Sequence, residues 1–247
     1  ECRFAQFFRI PATPNRMTRP MRPLLPRVLA EMFGTFVLIF FGCGAVVMNS
    51  FPGADYGVFG IAVVHAIALA IAISATAAIS GGHCNPAVTI GLLSIKKIAP
   101  ADAFAYVMAQ LAGGLLGALL VKTIVAPNVG RVVNFGAPAL HNTMSFGTGI
   151  ALEAILTFFL MSAVMATAVS KSAPKIAGFG IGLTLIPGIV VGGALTGGAL
   201  NPARAFGPAI IAGNMQAQAV WWIGPIVGAV VAALLWKHVL MAKEDVA

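Results

Sequence analysis

The sequence predicts an all-α membrane protein: six transmembrane helices plus two re-entrant half-helices, built as an inverted repeat. Three observations lead there. The 247 residues are 59% hydrophobic and 9% charged, where a soluble domain carries about 25% charged residues, and the mean hydropathy is +0.95. Six apolar stretches of near bilayer length are separated by short loops rich in Gly, Pro, Asn and Lys. Two further apolar pieces are too short to cross, and both begin Asn-Pro-Ala.

In chain order, residues 1–26 are basic and punctuated by proline, with no apolar core of a signal peptide, and read as a flexible cytoplasmic arm. Met17 and Met21 are alternative natural starts inside it. Spans are predicted at 27–49 and 58–79. Residues 85–95 then rise about 16 Å as a helix, half a hydrocarbon core. Asn85 takes the N-cap slot there and Pro86 the first helical position. A span at 101–124 closes the first half. The second half follows the same order, with spans at 146–170 and 176–195, a half-helix at 201–212 opened by Asn201 and Pro202, and a span at 217–240. A tail, 241–247, ends the chain.

The halves, 27–124 and 146–240, share more than this order. Glu31, Thr35 and Phe36 recur in the same spacing as Glu153, Thr157 and Phe158, and Asn85-Pro86-Ala87 recurs as Asn201-Pro202-Ala203. Three spans per half make the second half enter from the opposite side. The half-helices then meet N-terminus to N-terminus at the midplane. Broken backbone at membrane depth persists only where it lines a cavity or is buried in protein, so a pore is implied along 27–240.

Charge agrees. The formal net charge is +8, and twelve of the fifteen Lys and Arg lie in the arm, near the C-terminus, or in loops that six spans place on the same face. These are Arg3, Arg9, Arg16, Arg19, Arg22, Arg27, Lys96, Lys97, Lys171, Lys175, Lys237 and Lys243. Sorted this way, they follow the positive-inside rule with both termini cytoplasmic, and they do not form a nucleic-acid patch. Cys2, Cys43 and Cys84 give neither a disulfide framework nor a metal spacing. The sequence holds no nucleophile–base pair or phosphate loop, so no enzyme, cofactor or metal is expected. Gly113 with Gly117 and Gly224 with Gly228 are small-residue pairs suited to close helix packing. Trp221, Trp222 and Trp236 read as an aromatic belt at the ends of the last span.

The stretches from Ser80 to Val88 and from Gly197 to Arg204 resemble the paired signature loops of the aquaporin, or major intrinsic protein, family. The resemblance covers about residues 27–240. It implies a right-handed bundle, a homotetramer with one pore per subunit, and passive passage of water and small neutral solutes across a lipid bilayer, without protons. Asn85 and Asn201 would orient a passing oxygen, and the carbonyls of Gly81, Gly82, His83, Cys84, Gly197, Gly198, Ala199 and Leu200 would offer acceptors. Glu31 and Glu153, carboxylates inside spans, have two readings: a proton relay, or, as the resemblance implies, anchors for the re-entrant loops.

By resemblance, Arg204 is the fixed cation of the outer constriction. Counting from the two Asn residues completes it with His65, Ile189 and Gly198. This set is similar to the filter of a plant tonoplast branch whose implied solutes are water and ammonia. Gly198 would widen the ring, Ile189 supply an apolar wall and His65 a polar edge. His65 also reads as a packing histidine bonded to a carbonyl. His83 is either a pH-sensitive gate or a hydrogen bond holding its loop. Cys84 faces the lumen or turns away from it. His141 either folds back to support Arg204 or lies exposed. Glycerol facilitation is the nearest competing function: Ala205 follows Arg204 where facilitators typically carry Asp, and no aromatic pair lines the constriction. An ion-coupled secondary transporter is the competitor from another class, with Glu31 and Glu153 as its only candidate coupling groups. A structural membrane protein with a vestigial pore is the third. The membrane expected is the plasma (inner) membrane, and a vacuolar membrane fits the filter equally.

Overall fold

A computed structural model describes residues 22–246; residues 1–21, which include most of the predicted arm, and Ala247 lie outside the described residues. The first helix, α1 (Leu24–Met48), starts inside the segment read as the arm. Pro26 does not delay it, because first-turn N–H groups have no helical acceptor to lose. Arg27 is thereby part of α1, where it pairs with Asp102 at 2.8 Å.

Next come α2 (Gly57–Ser80), the short α3 (Pro86–Ser94) and α4 (Pro100–Ile124). A connection carrying α5 (Pro127–Val132) and a tight turn at Asn134–Gly136 leads into α6 (Phe146–Val164), which a π-helical turn extends to Val169. The fifth span is broken at Thr184 into α7 (Ala177–Leu183) and α8 (Leu185–Thr196). Pro187 causes the break, since it has no N–H to give the carbonyl of Leu183. The short α9 (Pro202–Ala212) and α10 (Gln218–Leu235), extended to Leu240, complete the repeat, and α11 (Lys243–Val246) follows. Six of these stretches are long and apolar enough to cross a membrane. At nine and eleven residues, α3 and α9 rise only about 14 and 16 Å.

Packing repeats with the sequence. In the first half α1 packs on α4, and in the second α6 packs on α10. The glycine pairs set both contacts. Gly113 sits against the carbonyl of Met32 and Gly117 against the backbone of Phe36 and Phe40, while Gly224 meets Ile150 and Gly228 meets Ala154. Each half-helix then crosses to its opposite number, α3 onto α10 and α9 onto α4, so neither half can close without the other. One belt residue is corrected here. Trp221 is 1% exposed, and its indole N–H donates to the carbonyl of Thr196 at 2.8 Å; it braces a loop rather than floating at the interface.

Candidate functional site

Both re-entrant loops leave their helices the same way. The helix α2 ends at Gly81 with φ 96° and α8 at Gly197 with φ 83°, left-handed turns that glycine makes without steric cost. Cys84 (φ 49°) and Leu200 (φ 53°) are left-handed as well, which turns successive N–H groups to one side. A buried carboxylate collects them. Glu31 accepts from the N–H of His83 at 2.9 Å and of Cys84 at 2.7 Å, from Ser80 Oγ at 2.6 Å and from Gln110 Nε2 at 2.8 Å. Glu153 accepts from the N–H of Ala199 at 2.9 Å and of Leu200 at 2.8 Å, and from Thr196 Oγ1 at 2.6 Å. These bonds satisfy both carboxylates inside the protein, where an unpaired charge would be costly.

The half-helices begin at the end of each loop. Asn85 Oδ1 accepts from Ala87 N and Asn201 Oδ1 from Ala203 N, both at 2.9 Å. With the oxygens used as caps, the amide nitrogens reach across. Asn85 Nδ2 donates to the carbonyl of Leu200 at 2.8 Å, and Asn201 Nδ2 to that of Cys84 at 2.9 Å. The two N-termini are thus clasped together, with Pro86, Ala87, Pro202 and Ala203 buried behind them.

A cavity of about 310 Å³ runs past this clasp and is lined by both Asn85 and Asn201. His65, Ile189, Gly198 and Arg204 line the same cavity, with Gly81, Gly82, His83, Ala199 and Leu200 along its length. Its other mouth is bounded by Lys97, whose ammonium is pushed below its ordinary pKa by burial and by nearby Lys171 and Lys237. The walls between are apolar, among them Leu69, Ile73, Val88 and Leu160. A largely apolar cavity, interrupted by paired amides and one guanidinium, can pass small hydrogen-bonding solutes without any covalent step.

The sequence model of the major intrinsic protein family matches residues 21–236. The chain belongs to that family. Its curated relatives include the probable aquaporin AqpM of Archaeoglobus fulgidus, 41% identical over 90% of this chain and 98% of that protein. Aquaporin TIP4-4 of Zea mays is 36% identical over 87% of each. Among solved structures, the aquaglyceroporin from Plasmodium falciparum superposes with a TM-score of 0.79 at 26% identity, covering 91% of this chain and all of that one. The protein is therefore an integral membrane channel of the aquaporin family for water and small solutes, and not an enzyme.

Two carbonyls of this aquaporin depart from the reading of its sequence, and His141, His65 and His83 each have alternatives open in that reading. Cys84 and Gly197 lie outside the residues that line the cavity. The Cys84 sulfur is buried 3.9 Å from Thr76 Oγ1 and its carbonyl is taken by Asn201, while Gly197 abuts Pro138. His141 does not reach Arg204: it is exposed, with its ring on Thr143 Oγ1 at 2.8 Å. Gly198 does more than spare a side chain, since a Cβ there would press on the backbone of Ile189 and Gly188 at 3.0–3.1 Å. His65 combines its two readings, lining the cavity while Nδ1 bonds the carbonyl of Ile61 at 2.9 Å. His83 bonds Thr89 Oγ1 at 3.1 Å through Nδ1, the loop-holding arrangement.

Other supporting residues were not legible. Arg204 is held by the carbonyl of Gly136 at 2.8 Å, from a connection with no counterpart in the repeat. Gly42 leaves the space that the His65 ring occupies. Tyr106 donates to the carbonyl of Ser80 at 2.8 Å, as Trp221 does to Thr196. The shared place of Ser80 and Thr196, each five residues before its Asn, was the one available signal.

Proposed function

We propose that this aquaporin conducts water and ammonia passively and excludes ions and protons, with His65, Ile189, Gly198 and Arg204 as its constriction. The observation that carries this is the convergence of those four residues and both signature asparagines on one continuous cavity. The Ile61 carbonyl can only accept, so His65 Nδ1 must donate to it, and the neutral ring then offers Nε2 as an acceptor. That Nε2 and the Arg204 Nε–H have no partner among the described residues. With His65 and Arg204 both lining the cavity, its polar residues suit a solute that both donates and accepts, such as water or ammonia.

Cations meet a different situation. The N-termini of α3 and α9 each carry roughly half a positive charge, and Arg204 adds a whole one. A monovalent cation 5 Å from Arg204 is opposed by about 3 kcal/mol at an effective dielectric near 20, before the cost of stripping its water. The asparagine amides donate and so orient an oxygen at the midplane, which interrupts a proton-conducting chain of waters. Glu31 and Glu153 are fully engaged by their loops, which leaves an ion-coupled transporter without its coupling group. Glycerol conduction is the second reading, favoured by the likeness to an aquaglyceroporin and opposed by the lack of an aromatic pair among the four constriction residues. As in the family resemblance, the assembly proposed is a homotetramer, with both termini cytoplasmic and the plasma membrane as its site.

Stopped-flow measurements on proteoliposomes test the proposal. Water and ammonia should cross well above the rate of empty vesicles, glycerol near it, with no proton leak. Glycerol flux matching that of water would move the protein to the facilitators.

A further inference from the structure

Among the described residues, Lys122, Arg131 and Arg204 are the Lys and Arg that lie outside the loops and span ends to which the sequence pattern assigns the terminal face. Arg204 belongs to the pore. The other two, Lys122 in the last turn of α4 and Arg131 in α5, meet at a second cavity of about 390 Å³ on the opposite face. Pro127, Asn134, Phe135, Ile211 and Ala212 complete its walls. Lys122 Nζ donates to the carbonyl of Ile211 at 3.3 Å and lies 5.7 Å from the ring of Phe135, which leaves two of its protons to offer. The guanidinium of Arg131 has no hydrogen-bond or salt-bridge partner among the described residues. The C-terminal end of α9, which borders the cavity, opposes an anion with about half a negative charge. Two full cations outweigh it.

We infer that this cavity binds a phosphate group, with Lys122 and Arg131 as its cations and the Asn134 amide as a further donor. Arg and Lys both serve such anions, Arg through paired N–H groups. The placement of Lys122 at a span end puts the cavity at headgroup level, and Phe135 and Ile211 give it apolar walls. A phosphodiester headgroup of an anionic lipid and free inorganic phosphate share the chemistry. Occupancy bears on the pore, because Asn134 (φ 48°) and Phe135 (φ 49°) lead directly into Gly136, whose carbonyl holds Arg204.

The test uses the full chain in nanodiscs with two probes. Native mass spectrometry counts phosphatidylglycerol retained from a mixture with phosphatidylcholine, and calorimetry titrates inorganic phosphate into pure phosphatidylcholine discs. Arg131→Gln and Lys122→Gln should each weaken binding about five-fold, the effect of one basic residue at a membrane surface. Lys175→Gln, in a loop on the other face, should not. Retention of phosphatidylglycerol alone identifies a lipid headgroup, and saturable phosphate binding alone identifies a free anion. If Lys122→Gln disturbs α9, the exposed Arg131 carries the test by itself. Binding unchanged in Arg131→Gln with both probes, or weakened equally by Lys175→Gln, would overturn the inference.

Discussion

The two re-entrant loops share a skeleton and differ in what they add to it. In each, a hydroxyl five residues before Asn and the two N–H groups just before it converge on a buried glutamate, and an aromatic from the next span holds the carbonyl of the hydroxyl residue. The first loop adds Gln110, which also bonds Thr89 at 3.0 Å, and the His83 ring on the same hydroxyl. The second adds Arg204, where the first has Val88 three residues after its Asn. Repetition thus builds a symmetric frame, and single residues break the symmetry to give the pore a direction and a fixed charge. The connection between the halves, which is not repeated, supplies the Gly136 carbonyl that holds that charge in place.

Breaking the frame should have the largest effect. Glu31→Leu strands two backbone N–H groups, a hydroxyl and an amide, and Glu153→Leu strands one group fewer. With about 1–3 kcal/mol lost for each buried donor left unpaired, both should cost several kcal/mol, Glu31→Leu the more. Thermal unfolding in detergent would rank them, and equal small losses would mean the loops stand without their anchors. Gly113→Ala and Gly228→Ala should cost about 1–3 kcal/mol each, since each new methyl meets a carbonyl of the facing helix; a matched pair of losses would show that packing repeats energetically.

Changing the added charge should act mainly on selectivity. Arg204→Val is expected to admit charged solutes that the wild type rejects, measured as ion leak in proteoliposomes, whereas Val88→Ala leaves rejection intact. Cys84→Ser should do least: its sulfur faces Thr76, so water flux and its response to mercuric chloride should both match the wild type.

Much of this frame is readable in the sequence alone. Two Asn-Pro-Ala turns, the Glu-x-x-x-Thr-Phe stretches that begin at Glu31 and Glu153, and the glycine pairs are local patterns, and each recurs with the same internal spacing in the two halves. Asn85 and Asn201 read as N-caps because capping chemistry is local. What was not readable depends on contacts distant in sequence. Nothing near Gly136 announces that its carbonyl meets Arg204, and Gly42 is one of 28 glycines until the His65 ring is seen against it. The direction of Cys84 was open because a left-handed turn reverses which side a residue faces. Trp221 misled for a related reason: a tryptophan at a span end reads as a belt residue, and only tertiary structure reveals the carbonyl it serves.

The most direct test of the account is the ratio of ammonia to water permeability in His65→Phe against the wild type, measured by stopped flow in the same lipid. The phenyl ring removes the polar character of the imidazole and narrows the constriction. Ammonia flux should therefore fall by more than water flux, lowering the ratio. Equal losses, or an unchanged ratio, would contradict the place given to His65 and, with it, the claim that residues outside the repeated frame select the solute.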